Sequence, residues 1–344
     1  MTGLQKKVVR DGDWLAHRYD EQLDAIQFLQ VSRQVRDRAT FLTDQHLPAG
    51  LPLQVLPRRD VAAEAKRQQA PLHMIFHSAF CCSTLLARAF DIPGMSGSLK
   101  EPVLLNDVVG FRRRGAASRD VAELLDHSLA LLARPLRSGE AVVVKPSNVI
   151  NGLARLSLAL RPGMRAVLLH APLPLFITSV AKKGLEGRAW VRDLVAGYRL
   201  DGLIERFGMD GEALFRLSDL QVAALGWLAQ QAAFATLVRD LGADRVRTIS
   251  SEELLDEPAE ALAQVSRLFE LGLSEDQARK IAEGPVFARD AKTGSTFGRA
   301  DRNSEYAEAT SAHREEIEMV AEWARVVAER NGIPLKLGAP LLGD

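Results

Sequence analysis

Residues 72–86 read Leu-His-Met-Ile-Phe-His-Ser-Ala-Phe-Cys-Cys-Ser-Thr-Leu-Leu, and the fold turns on how this stretch is taken. Leu72–Phe76 is a short apolar run without polar alternation, the pattern of a strand covered on both faces. Small residues follow it, and Thr84–Phe90 then has helical spacing. A strand, a loop of small residues and a helix opening on Ser83-Thr84 is the layout of an anion cradle. Backbone N–H groups along Ser78, Ala79, Phe80, Cys81 and Cys82 would line it, and the hydroxyls of Ser83 and Thr84 could add bonds to phosphate oxygens. The same residues also fit a plain turn capped by Ser83, with the cysteines as small filler.

Working outward, similar short runs recur at Met95–Leu99, Ala141–Val144, Arg165–Leu169 and Val246–Ile249. Helical spacing separates them near 120–134, 150–160, 173–183, 215–241, 258–270 and 310–331. Alternating strands and helices predict a mainly parallel sheet in βαβ units, with its ligand beyond the C-terminal strand ends. Before this domain, residues 1–70 are polar and helix-leaning, anchored by Trp14, Phe28, Leu29 and Phe41, and broken by Pro48, Gly50, Pro52 and Pro57. We place the main domain at 71–300. A C-terminal helix and tail over 301–344 carries the stripe Ile317, Val320, Trp323, Ala324 and Val327.

With 47% apolar residues the chain can build a sizeable core, and 44 basic against 44 acidic residues give no global field for nucleic acid or an anionic membrane. The two cysteines are neighbours, which excludes a disulfide framework. The opening residues turn charged at once, unlike a signal peptide, and Val222–Val238 carries Gln230 and Gln231 and is too short to span a bilayer. A soluble, cytoplasmic protein is expected.

The strand ends carry the candidate chemistry. Lys145-Pro146-Ser147-Asn148 places an ammonium at a strand exit, and Lys100-Glu101-Pro102 repeats the arrangement; either lysine could equally be a surface residue at a turn. Glu101 could be a general base or the partner of Lys100. The loop lacks Gly-Lys-[Ser/Thr], and no Asp closes the runs at Leu169 or Ile249, so neither a Walker motif nor a metal site is expected. Arg112-Arg113-Arg114 reads as a solvated basic run.

Taken together these residues resemble the sulfotransferases, chiefly their bacterial branch, in the order of motifs over roughly 70–300. Phe80-Cys81-Cys82-Ser83-Thr84-Leu85-Leu86 takes the place of the family's 5′-phosphosulfate loop, with Phe80 where a Lys or Arg is usual. Lys145 matches the strand-end lysine, and Ser147 stands where a catalytic His often lies. His170-Ala171-Pro172 takes the place of Arg-x-Pro, with Thr178 and Ser179 near the 3′-phosphate serine. Ser250–Pro258 resembles the Glu-x-Leu…Pro segment, and Lys292, Thr293, Gly294, Ser295 and Arg299 the basic loop over the 3′-phosphate.

The resemblance implies a P-loop NTPase-like three-layer α/β sandwich and a sulfotransferase. It would use 3′-phosphoadenosine-5′-phosphosulfate as donor, without metal, toward a hydroxyl or amine. Lys145, Lys100 and the Cys82–Thr84 amides would then steady the departing phosphate, and Glu101 would take the acceptor's proton, with His170 or His77 in reserve. Lys145→Ala should cut turnover far more than stability. The other readings are a P-loop kinase of a small molecule or peptide, and a nucleotide- or partner-binding protein without catalysis, which Phe80, Ser147 and His170 favour.

Overall fold

The computed structural model describes residues 1–288 and 313–343. Three short strands come first, β1 (Trp14–Asp20), β2 (Ala25–Gln30) and β3 (Leu53–Pro57), paired antiparallel in the order β1-β2-β3. The helix expected over 1–70 is confined to Gly3–Arg10, Arg33–Arg38 and Arg58–Ala65. A strand signal exists in Ile26 and Phe28, both fully buried on β2. On β1 the register shifts between Ala16 and Arg18, and such a bulge scrambles the alternation that would announce a strand.

The main sheet holds β4 (Leu72–His77), β5 (Ser96–Lys100), β6 (Ala141–Lys145), β7 (Ala166–His170) and β8 (Val246–Ser250), all parallel, in the order β5-β6-β4-β7-β8. Each lies within one residue of its expected run. Every residue of β4 is buried, as a central strand with helices on both faces requires. Ile75, Val143 and Val167 turn toward the core shared with helices Leu173–Lys182, Asp219–Leu241 and Pro258–Phe269. Met74, Phe76, Val144 and Leu168 turn the other way, toward Val103–Arg113 and Ser118–Leu132. This is the three-layer α/β sandwich with a parallel sheet. The chain leaves β4 toward β5 and β6, then passes to β7 and β8 on the other side. Strand order therefore reverses at β4, which puts the ligand crevice at its C-terminal end.

The 17-residue helix Gly184–Leu200 escaped the sequence reading. Gly187 and Gly197 weaken its pattern by about 1 kcal/mol each, yet both are needed. A Cβ at Gly187 would lie 2.6 Å from the Val180 carbonyl oxygen, and one at Gly197 would lie 2.6 Å from the Arg113 Cζ. Arg113 is held there by Asp201, whose carboxylate accepts from Nη2 at 2.6 Å and is 1% exposed. Arg112 donates to the Gly152 and Asp201 carbonyls, and Arg114 to Glu21. Arg112 and Arg113 are thus internal latches, while Arg114, 57% exposed, keeps the solvated face expected of the run. Among the described residues, no helix is long and apolar enough to cross a membrane.

Candidate functional site

Beyond His77 the chain turns through Ala79 (φ 73°), Phe80 (φ 52°) and Cys82 (φ 63°), three left-handed residues of which none is glycine. Each costs roughly 1–2 kcal/mol for an L side chain, and such strain persists only where the surroundings over-determine it. Here they do. His77 Nε2 donates to the Pro146 carbonyl at 2.9 Å, while Nδ1 accepts the Ala79 N–H at 3.0 Å. Both nitrogens are spent in a neutral tautomer, so His77 is scaffolding and not a reserve base. The Ser78 hydroxyl accepts the Ala171 N–H at 3.0 Å.

Below the loop lies a buried amide network. Asn151 donates to the His77 carbonyl at 3.1 Å and to Gln230 Oε1 at 3.0 Å, Asn148 donates to that same oxygen at 3.3 Å, and Gln230 Nε2 reaches the Ser78 carbonyl at 3.4 Å. Gln230 was legible only as a polar residue in an apolar run; its role was not. Buried amides in such a run must find partners, and that was the available signal.

Cys82, not Ser83, is the N-cap residue of helix Ser83–Ala89, and it makes no side-chain cap bond. The plain-turn alternative loses its Ser83 cap. Burial pushes the Cys81 thiol up to about 11, against the lowering charge of Lys145 and a bond with Ser83. A thiol so far from ionising is poor redox chemistry, and Cys81 is packing. The loop itself carries no cation. Phe80, at the position where a cation was sought, packs edge-on against Phe176 (5.6 Å) and Trp190 (5.2 Å).

The nearby charge comes from β6. Lys145 and Lys100 are register partners at the strand exits. Lys145, 2% exposed, forms an ion pair with Glu101, which is 18% exposed and left-handed at φ 51°. The Lys145 ammonium also lies 4.9 Å from the centre of the Phe41 ring, a cation–π contact. Glu101 is therefore the partner of Lys145, not of Lys100. Lys100 instead donates to the Asp37 carbonyl at 2.9 Å. Burial, with Arg88 adding and Asp37 and Asp91 opposing, brings its ammonium down to about 8. The Leu42 N–H bonds the Lys100 carbonyl at 2.7 Å, so the segment Phe41-Leu42 walls this end of the crevice. The sequence reading had Phe41 only as an apolar anchor.

His170 lies apart. It lines a cavity of about 790 Å³ with Thr248, Ser250, Glu252, Glu253 and Asp256, and none of the loop residues, Glu101 or Lys145 lines it. Burial lowers the His170 imidazole below its ordinary value, opposed by Glu253, and Nδ1 has no partner among the described residues. The neutral ring itself supplies no charge to a phosphate; Arg325 and Lys336 are the cations that line the same cavity. Thr178 and Ser179 are buried, and the Ser179 hydroxyl donates to the Leu175 carbonyl at 2.7 Å. Lys292, Thr293, Gly294, Ser295 and Arg299 lie outside the described residues. Among the described residues, no group of His, Cys, Asp and Glu could hold a metal ion.

No family model matches the chain, and no curated protein matches it. Solved structures that align with it include the sulfotransferase domain from the curacin biosynthetic pathway, at 12% identity and TM-score 0.40, over 78% of this chain and 99% of that one. Sulfotransferase STF9 from Mycobacterium avium aligns at 11% identity and TM-score 0.42, over 73% of this chain and 79% of its own. Retinol dehydratase, solved with androsterone and the inactive cofactor PAP, aligns at 12% identity and TM-score 0.36, over 96% of this chain and 94% of its own.

Proposed function

We propose that the protein transfers a sulfuryl group from 3′-phosphoadenosine-5′-phosphosulfate to a hydroxyl or amine acceptor, at the crevice beyond β4. The observation that carries this reading is the strained loop Ala79–Cys82, held rigid from below, with the Lys145–Glu101 pair beside it. A loop with successive turned peptide units and an uncapped helix start suits a phosphate-type anion. The 5′ end of the donor would lie on the amides of this loop and on Thr84. The acceptor oxygen or nitrogen attacks sulfur, and the bond from sulfur to the bridging phosphate oxygen breaks, releasing adenosine 3′,5′-bisphosphate. Negative charge grows on that bridging oxygen, and Lys145 is the cation placed to meet it. Glu101 takes the acceptor's proton once Lys145 turns its ammonium toward the leaving group.

Isothermal calorimetry tests the reading. Adenosine 3′,5′-bisphosphate should bind without metal, and ATP with magnesium should not; silence from the first ligand removes it. Lys145→Ala should abolish transfer. Since this substitution also strips a partly buried Glu101 of its partner, it should cost about 1–3 kcal/mol in stability, which revises the expectation that stability is spared. A second reading, anion binding without transfer, is favoured by the Lys145 ammonium being already neutralised by Glu101 and closed over by Phe41. In that case the bisphosphate binds Lys145→Ala and the parent equally.

A further inference from the structure

The antiparallel sheet ends on β3, and the outer side of that strand is open. Its pairing with β2 runs from Ala25 opposite Pro57 to Leu29 opposite Leu53. At the two ends of the pairing, the Gln30 N–H reaches the Pro52 carbonyl and the Arg58 N–H the Asp24 carbonyl, both at 2.9 Å. Bonding alternates along an antiparallel strand, so residues 52, 54, 56 and 58 turn their backbone groups toward β2. Leu53, Val55 and Pro57 turn theirs outward, where nothing among the described residues answers them. The opposite edge is covered: Asp107 takes the Tyr19 N–H of β1 at 2.9 Å.

Natural sheets blunt a free edge with a charge, a proline within the strand or a bulge. Leu53-Gln54-Val55-Leu56 has no charge and no proline, and its register with β2 is unbroken. Leu53 is 48% exposed and Val55 44%, both on one face of the strand. The core beneath takes Leu56 and neither of them.

This edge matches itself. A second copy of β3, turned about a twofold axis through Gln54, lies antiparallel to the first with Leu53 opposite Val55 and Gln54 opposite Gln54. Leu53 and Val55 both face outward, so they exchange N–H and C=O in each direction. Their side chains then form apolar cross-strand pairs. The missing N–H of Pro57 falls opposite Leu51, beyond the strand. Arg58, Arg59 and Asp60 fall opposite Gly50, Ala49 and Pro48, so no like charges meet. A register two residues nearer Pro57 would set it against Leu53 and leave a carbonyl unpaired.

We propose that β3 is a homodimer interface, at which two copies of the chain join their three-stranded sheets edge to edge. Closed twofold dimers are the commonest assembly of soluble proteins, and a ladder this short gives a weak, reversible one.

Sedimentation equilibrium of the full-length protein tests it. Between about 5 and 200 µM the average mass should climb from one chain toward two, with Kd at or below about 100 µM. Gln54 is exposed and lies on the axis, so one substitution sets two like charges face to face. Gln54→Glu and Gln54→Lys should each weaken association about fivefold alone. An equimolar mixture of the two should associate at least as tightly as the parent. A parent that stays monomeric overturns the proposal and leaves the edge to a strand of another protein. So does a dimer undiminished by either substitution, or a mixture that does not recover. Should either variant melt early, Gln54→Cys decides. Copper-phenanthroline oxidation should give it a covalent dimer that the parent does not form, and its absence overturns the proposal too.

Discussion

Gln230 is 0% exposed in the middle of a 23-residue helix, and its amide meets four groups: it accepts from Asn148 and Asn151 and donates to the Ser78 and Gly226 carbonyls. Leucine there has similar bulk and none of these bonds. Gln230→Leu should lose about 2–3 kcal/mol and weaken bisphosphate binding by about tenfold, the latter because the loop loses its support. Thermal melting and calorimetry on one preparation check both, and an earlier melt with unchanged affinity would show that Gln230 serves packing alone. Lys100 makes a pH prediction of unusual sign. Its pKa falls from 10.5 to about 8, so between those values the unfolded chain binds the extra proton and stability rises with pH. Below about pH 8 the buried ammonium costs the folded state on the order of 3 kcal/mol. Lys100→Met should therefore stabilise the protein most below pH 8, with the gain shrinking toward pH 10.5. Urea melts of both proteins at pH 7 and pH 9.5 measure it, and a gain that grows with pH contradicts the assignment.

At the scale of elements the loop after β4 is a strained, firmly braced turn built without glycine. Ala79 has φ 73°, and its single methyl packs only partly against the core. Ala79→Gly should raise stability by about 0.5–1 kcal/mol, readable as a higher melting temperature. Unchanged or lower stability would mean the freedom gained by the unfolded chain outweighs the strain relieved. The five parallel strands were legible because each is a dense apolar run whose neighbours are helical, a pattern with few alternatives. The antiparallel sheet was not, since Leu53 and Val55 of β3 are exposed and β1 is bulged. Within the site, Lys145 and Glu101 were found because strand exits announce themselves. Their pairing was not: it depends on the left-handed turn at Glu101, whereas the sequence offers Glu101 only as a general base or as the partner of its neighbour Lys100. Phe41 lies 104 positions before Lys145 in the chain, and no local pattern joins them.

For the molecule as a whole, the joint between the two sheets runs through Arg134. Its guanidinium donates to the Val9 carbonyl at 2.8 Å and the Trp14 carbonyl at 2.7 Å, and lies over the Phe28 ring. Burial, with Arg36 adding and Asp11 opposing, brings it down to about 9. Arg134→Met orphans these carbonyls and should cost about 2–4 kcal/mol, felt first as release of the antiparallel sheet. Limited proteolysis should then cut between Arg33 and Leu53 at protease concentrations that leave the parent intact; equal resistance would place the joint elsewhere. The small core of that sheet also takes in Leu104 and Leu131. On the ribosome, β1 to β3 emerge long before Leu131 and Arg134 exist. At about 5–20 residues per second the nascent sheet spends several seconds with Ile26 and Phe28 uncovered, a window that chaperones must guard and that slow codons ahead of residue 134 would lengthen.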